Sequence, residues 1–89
     1  MQVRFSKQFK KNYSKANSKI KLSFDKKLNI FLQNQFHPSL NNHTLKGKFL
    51  GFRSINITGD WRAIYLIEEK SSGKIALFEL LGTHSQLYR

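Results

Sequence analysis

Hydrophobic residues in the first half of the chain recur at strand spacing and then at helical spacing. In the N-terminal segment MQVRF, Val3 and Phe5 alternate with polar neighbours, which predicts a short strand, and Ser6 is placed to cap a following helix. Two helices are expected, separated by the polar sequence KANSK. The second helix should end near Phe36. Its apolar stripe consists of Ile20, Phe24, Leu28, Phe31 and Leu32.

The second half of the chain changes to the pattern of β-strands. The sequence FHPSLNNHT contains the only proline and several turn formers, and it predicts a loop that runs to about Thr44. The runs FRSINIT and WRAIYLI predict a hairpin in which Gly59 supplies the turn, and KIALFELL predicts a third strand beyond a turn at EEKSSG. Alternation puts Ser54, Asn56 and Thr58 on one face, and we expect that face to point to solvent.

These elements follow one another in the order β-α-α-β-β-β, which predicts an α+β fold. The two N-terminal helices are expected to pack on one face of a twisted, mainly antiparallel sheet and to leave the other face open. A chain of 89 residues has too small a core to be divided in two, so residues 1–89 are expected to form a single domain.

The composition of the chain narrows the possible partners. Sixteen Lys and Arg residues against five Asp and Glu give a net charge of +11, which indicates nucleic acid or an acidic protein as the partner. The absence of cysteine excludes disulfides and thiolate metal sites. No apolar run approaches the roughly 20 residues that cross a bilayer, and the N-terminus has no signal-like segment, so we expect a cytoplasmic protein without a membrane partner.

Three residues could carry acid–base chemistry. His84 lies just beyond the last apolar strand, His43 precedes the first strand of the hairpin, and Asp60 lies in the hairpin turn. Cleavage of RNA through its own 2′-hydroxyl needs a base, an acid and cations near the phosphate, with no metal required. Each residue also has an ordinary interpretation, as a surface histidine or a turn aspartate, and spacing alone leaves their convergence open.

Cations and aromatic side chains in the same half of the chain could bind RNA. They could contact phosphates, or they could simply face solvent. The candidate phosphate ligands are Lys46, Lys48, Arg53 and Arg62. Trp61 and Tyr88 could stack on bases, although a tryptophan in a strand is more often a packing anchor.

Two stretches of the chain resemble the C-terminal half of toxins of the RelE/ParE superfamily, in particular the YafQ-like branch of bacterial type II toxin–antitoxin systems. They are HTLKGKFLGFRSINITGDWRAIYLI and LLGTHSQLY, and together they cover 34 of the 89 residues. The shared features are an H-x-L-K-G element, a D-W pair at the hairpin, an aromatic-R-x-I-Y strand and a closing G-[ST]-H-x-x-L-aromatic motif. The helical half agrees with these toxins only in its pattern.

The resemblance implies a ribosome-dependent, metal-independent endoribonuclease that needs no cofactor and cuts messenger RNA in the decoding site of the ribosome. It also implies a cognate acidic antitoxin that neutralises the toxin in a hetero-oligomer. The motif positions that match are His43, Asp60, Trp61, His84 and Tyr88.

Two positions depart from the pattern of these toxins. Asn56 stands where a catalytic histidine is expected, and a leucine replaces an arginine expected shortly before the final histidine. Asparagine forms hydrogen bonds but cannot titrate, so Asn56 is expected to bind RNA and not to transfer protons. His43 and His84 are then the expected acid–base pair, with Asp60 as the orienting carboxylate or an alternative base.

Two other functions fit the same fold. A ParE-like toxin inhibits DNA gyrase by protein contact and needs no titrating cluster, so the histidines argue against it. A non-catalytic RNA-binding protein would use the same lysines and aromatic residues, and it would differ from the nuclease only in lacking turnover.

Overall fold

A five-stranded mixed sheet lies at the centre of the computed structural model, which describes residues 1–88. The strands are β1 (Gln2–Phe5), β2 (His43–Thr44), β3 (Arg53–Asn56), β4 (Trp61–Lys70) and β5 (Gly73–Thr83). The helices are α1 (Lys7–Lys15), α2 (Ser18–Gln33) and α3 (His84–Leu87), with short 3-10 turns at Pro38–Leu40 and Gly47–Phe49. The strand order is β1-β5-β4-β3-β2, with β1 parallel to β5 and the other pairs antiparallel. The predicted α+β fold is confirmed.

Side-chain caps set the starts of the two N-terminal helices. The hydroxyl of Ser6 accepts a hydrogen bond from the Phe9 amide (3.0 Å), and the Asn17 side chain accepts one from the Ile20 amide (2.9 Å). The break at KANSK is therefore confirmed. The expected end near Phe36 was wrong, because the helix ends at Gln33. Asn34 leaves the helix and its side chain accepts a hydrogen bond from the Phe36 amide, which favours a local turn.

The main core lies between the two long helices and one face of the sheet. Aromatic rings dominate it: Phe78 on β5 packs within 6 Å of Phe9, Phe24 and Phe31, and Tyr65 on β4 stacks on it with a centroid distance of 5.1 Å. The helices therefore cover one face of the sheet, as predicted.

The opposite face is only partly open, which corrects the expectation of an exposed polar face. A second small core there consists of Leu45, Ile64 and Leu87, with Phe49, Phe52 and Leu80 packed against it. Ser54, expected to face solvent, is fully buried on this face. The 45–52 segment and α3 cover this face of the sheet. Helix α3 lies so close to β5 that a Cβ added at Gly82 would be 3.1 Å from the Gln86 side chain.

Three strand boundaries also differ from expectation. The predicted loop contains β2, whose two residues pair with Ser54 and Arg53. Strands β4 and β5 extend into the predicted turn and leave only residues 71–72 between them, and Gly73 follows that turn with a φ of 124°. The hairpin between β3 and β4 is confirmed, although Gly59 does not adopt a positive φ there. Among residues 1–88, no helix is long and apolar enough to span a membrane.

Candidate functional site

The short helix α3 turns the C-terminal residues back over the end of the hairpin. A reciprocal cap starts it: the Thr83 hydroxyl accepts from the Gln86 amide (3.2 Å), and the Gln86 side chain accepts from the Thr83 amide (2.9 Å). The next amide, that of His84, donates to the backbone carbonyl of Asp60 (2.9 Å). The structure thus brings the backbones of His84 and Asp60 together, and the histidine is the first residue of a helix.

Tyr88 is held between two other rings. Its ring centre lies 4.7 Å from that of His84 and 5.7 Å from that of Phe49, the second contact being edge to face. His84 itself is exposed, and Tyr88 keeps 36% of its surface exposed. Both rings are therefore positioned by packing while remaining accessible from solvent.

The hydroxyl group of Tyr88 lies near Arg62 and Ser54. Burial raises the pKa of Tyr88 above its usual value near 10, while the positive charge of Arg62 and the nearby Ser54 hydroxyl lower it less strongly. The phenol is therefore protonated at neutral pH, where it can donate a hydrogen bond but cannot act as a base.

Arg62 is fixed at the hairpin by the backbone. Its Nη1 atom donates to the carbonyls of Thr58, Gly59 and Trp61, each at 3.1 Å. In the register of the sheet Arg62 lies opposite Asn56, so the two side chains share a face. The arrangement holds a permanent positive charge next to Tyr88 with little freedom to move.

Two buried oxygens on this face make no well-formed hydrogen bond within residues 1–88. They are Ser54 Oγ and Asn56 Oδ1. A buried polar atom without a protein partner costs free energy unless water or a ligand supplies one. Both oxygens lie beneath the surface that carries Tyr88 and Arg62, with almost no area open to a ligand, and the Ser54 hydroxyl lies beside that of Tyr88.

His43 lies on the same face, on the edge strand β2 directly opposite Ser54. Its Nδ1 atom is 2.8 Å from the backbone carbonyl of Asn41. Because a carbonyl only accepts hydrogen bonds, Nδ1 carries the proton, and in the neutral ring Nε2 keeps its lone pair. His43 is thus oriented as a proton acceptor, but two strands, β3 and β4, separate β2 from β5, the strand that leads to His84.

The four candidate phosphate ligands do not lie together. Lys48 approaches the Phe49 ring (5.1 Å from nitrogen to centroid), on the side of the sheet that carries Tyr88. Arg53 lies on the helix side of the sheet, where it donates to Asn42 (2.8 Å), and Lys46 lines the same groove as Arg53. Only Lys48 and Arg62 therefore accompany the candidate catalytic residues.

Trp61 is half-buried and packs against the main core. It also lines a cleft of about 490 Å³ between α1 and α3, together with Lys15 and Phe49. The packing role expected for a strand tryptophan is therefore present, and part of the ring borders an accessible cleft.

Comparison with known proteins places this arrangement in a family. The sequence matches the family of YafQ, the bacterial toxin of type II toxin–antitoxin systems, over residues 1–89. The chain belongs to the YafQ toxin family. It is therefore a type II toxin, and the resemblance to the RelE/ParE superfamily is confirmed. No curated protein sequence gives a significant match.

Solved structures of other toxins share the fold of this YafQ-family chain. YafQ from E. coli superposes with a TM-score of 0.80 at 22% identity, covering 98% of this chain and 97% of the other. YafQ in the E. coli DinJ–YafQ toxin–antitoxin complex gives 0.73 at 27% identity over 99% and 97%. The YoeB/ParE toxin from Agrobacterium tumefaciens gives 0.76 at 16% identity over 94% and 99%.

Sequence reasoning missed two residues of this YafQ-family site. Phe49 supports the Tyr88 ring, and its signal was an aromatic residue next to the Lys48 already singled out. Ser54 was expected to face solvent, but it is buried. Its signal was its position two residues before Asn56, which puts the two side chains on the same face of the strand. Within residues 1–88, no group of three or more His, Cys, Asp or Glu side chains is arranged to hold a metal ion.

Proposed function

We propose that this YafQ-family toxin is a ribosome-dependent endoribonuclease that cleaves messenger RNA by attack of the 2′-hydroxyl on the adjacent phosphate. The observation that carries the proposal is the exposed His84–Tyr88 ring pair beside the backbone-held Arg62. Such a set supplies an acid, a hydrogen-bond donor and a fixed cation in one place. Together with a base for the 2′-hydroxyl, these are the groups that this reaction requires, without a metal ion or a cofactor.

His43 is the proposed general base. Its Nδ1 proton is directed to the Asn41 carbonyl, so Nε2 can take the proton of the 2′-hydroxyl. The freed 2′-oxygen then bonds to phosphorus while the bond from phosphorus to the 5′-oxygen breaks. The products are a 2′,3′-cyclic phosphate and a fragment that begins with a 5′-hydroxyl.

His84 in its protonated form is the proposed acid that donates a proton to the departing 5′-oxygen. The Asp60 carbonyl fixes the helix start beneath it. In this proposal the Asp60 carboxylate, which forms no ion pair with His84 within residues 1–88, would turn toward the imidazolium and orient it. Arg62 and Lys48 would stabilise the negative charge that grows on the phosphate. Tyr88 would donate a hydrogen bond to the same group and stack on a base.

Asn56 has a binding role in this proposal. Its side chain is half-buried on the face that carries Arg62, and its amide group would form a hydrogen bond with the bound nucleotide. It cannot transfer protons at any pH. Acid and base work therefore falls to His43 and His84.

A cognate acidic antitoxin is the proposed protein partner. The structure of E. coli YafQ bound to DinJ, at 27% identity, provides a precedent, and the net charge of +11 favours an acidic partner. We expect a cytoplasmic, single-domain toxin that forms a hetero-oligomer with this antitoxin.

The test is a cleavage assay with purified toxin and ribosomes carrying a defined messenger RNA. Cuts should occur in the codon that occupies the decoding site, leaving 2′,3′-cyclic phosphate and 5′-hydroxyl ends, and naked RNA should be cut far more slowly. DNA supercoiling by gyrase should be unchanged. Intact RNA together with inhibited gyrase would replace the nuclease by a ParE-like inhibitor, whereas RNA binding without cuts would leave an RNA-binding protein.

A further inference from the structure

A groove of about 650 Å³ lies at the end of strands β3 and β4 that is distant from the hairpin. We call it the Phe36–Leu50 groove, because these two side chains, 60% and 77% exposed, form its apolar walls together with Phe52 and Ile67. Large apolar side chains rarely cluster on the surface of a protein that has no partner there. The groove is therefore a surface that another molecule would cover.

Positive charges surround the apolar walls. Lys46, Arg53 and Lys74 line the groove, and no acidic residue lines it within residues 1–88. Lys74 is paired only weakly, since its ammonium lies 3.7 Å from Glu69 and both side chains are mostly exposed. A partner that brings carboxylates to the rim and apolar side chains to the centre would match the groove in both respects.

We propose that the Phe36–Leu50 groove binds an acidic amphipathic segment of the antitoxin, a proposal that rests on the toxin–antitoxin pairing proposed above. Two walls of the groove are aliphatic, Leu50 and Ile67, and aliphatic side chains offer no flat surface for base stacking. Among the residues that line the groove, Phe36 carries the exposed aromatic ring, and it already lies under the Arg53 guanidinium (5.2 Å). These features favour a peptide over RNA.

The groove is formed before any partner arrives. Arg53 Nε donates to the Asn42 side chain (2.8 Å), and Asn42 in turn donates to the hydroxyl of the buried Tyr65 (2.6 Å). Gln35 donates to the same hydroxyl (2.9 Å). A preformed surface loses less conformational entropy on binding, which favours affinity.

The groove and the His84 end of the candidate site lie at different ends of the same strand pair, whereas His43 is next to Thr44, which lines the groove. Arg53 begins β3 at the groove, and Asn56 ends β3 at the hairpin, a separation of roughly 10 Å at about 3.3 Å per residue. A segment seated in the groove would therefore leave His84 uncovered. Loss of the groove contacts should release the toxin from its antitoxin without removing cleavage.

Leu50→Glu tests the groove, with Leu22→Glu as the matched control. Leu22 is another exposed leucine (57%), located on α2 and outside the groove. The probe is the protein encoded by the reading frame adjacent to the toxin gene, with affinity measured by titration calorimetry and ribosome-dependent cleavage measured in parallel. Leu50→Glu should weaken binding by about 30-fold or more and keep cleavage within threefold, because it removes an apolar contact and repels an acidic segment. Leu22→Glu should change neither.

Two further variants separate the effect of charge from the loss of an apolar contact and from misfolding. Leu50→Lys should weaken binding less than Leu50→Glu, because the new charge attracts the acidic segment. Phe36→Ala covers the case in which Leu50→Glu does not fold, and it should also weaken binding with cleavage retained.

Several results would overturn the proposal. Binding by both Leu50→Glu and Phe36→Ala within threefold of wild type would remove the groove from the interface. If the groove variants bind the antitoxin normally but associate poorly with ribosomes, the groove binds RNA and not the antitoxin. If wild-type toxin does not bind the protein from the adjacent reading frame, both the toxin–antitoxin pairing and the groove proposal are wrong. If wild-type toxin binds that protein but cleaves no RNA, only the nuclease proposal is wrong.

Discussion

The two ends of the β3–β4 strand pair hold their charged groups by different means. At the hairpin end, three backbone carbonyls hold Arg62, and the Asp60 carbonyl holds the amide of His84. At the groove end, a side chain, Asn42, holds Arg53 beside exposed Phe36. Backbone anchors suit groups that must keep a fixed geometry for chemistry, whereas apolar surface beside a cation suits association.

This difference shows that the basic residues of the chain are not equivalent. The net charge of +11 indicates an anionic partner for the whole molecule, but Lys48 and Arg62 lie with the candidate site while Lys46 and Arg53 line the groove. An RNA and an acidic protein could thus bind different parts of one basic surface. Variants can separate the two roles.

The largest expected effect is at the hairpin end. His84→Ala should reduce single-turnover cleavage on ribosomes by about 10²–10⁴-fold, because the departing 5′-oxygen loses its acid. Binding to ribosomes should stay within threefold. The free energy of unfolding should change by less than about 0.5 kcal/mol, since the side chain is exposed and its backbone amide still bonds to Asp60.

His37→Ala is the matched control for this change. His37 is also exposed, but within residues 1–88 its ring forms hydrogen bonds only with Ser39, in the 3-10 turn that follows and apart from the candidate site. Its removal should leave the cleavage rate unchanged. Wild-type cleavage by His84→Ala would exclude the histidine as the acid and would direct attention to Asp60 and the cations.

Local features of the fold could be predicted from the sequence. Ser6 and Asn17 cap their helices through hydrogen bonds to amides three residues ahead, so a short window of sequence contains the whole interaction. The same holds for the hairpin and for most of the apolar stripe of α2, although Leu32, which was expected in that stripe, is 51% exposed. The position of His84 after the last strand was also visible in the chain order.

Features that depend on distant parts of the chain could not be predicted. Ser54 is buried because the 45–52 segment and α3, with Tyr88 after it, return to its face of the sheet, and no pattern around residue 54 contains that information. The contact between the His84 amide and the Asp60 carbonyl joins residues 24 positions apart. Strand alternation places Arg53 and Arg62 on opposite faces of the sheet. The sequence does not show which of these two faces the helices cover.

A smaller effect is expected from Tyr65→Phe at the groove end. The buried hydroxyl accepts hydrogen bonds from Gln35 and Asn42, so its loss leaves two donors without this partner and should cost about 1–2 kcal/mol in urea unfolding. Tyr13→Phe is the control, because that hydroxyl donates to Asp25 at an exposed position and should cost less than about 0.5 kcal/mol. Cleavage by Tyr65→Phe should remain within threefold while antitoxin binding weakens. Equal destabilisation by the two variants would contradict the support assigned to Tyr65.

The smallest effect concerns the pH dependence of stability at the hairpin end. Burial raises the folded-state pKa of Tyr88 above its unfolded value near 10, so folding favours the protonated phenol. This contribution is fully present below the unfolded pKa and is lost as the pH rises through the folded pKa. Wild-type toxin should therefore lose slightly more stability between about pH 9 and 11 than Tyr88→Phe, in urea unfolding at matched ionic strength. Lysines deprotonate in both proteins, so the difference isolates the phenol. A greater loss by Tyr88→Phe would mean that Arg62 stabilises a phenolate and outweighs burial, and Tyr88 would then be able to act as a base at lower pH.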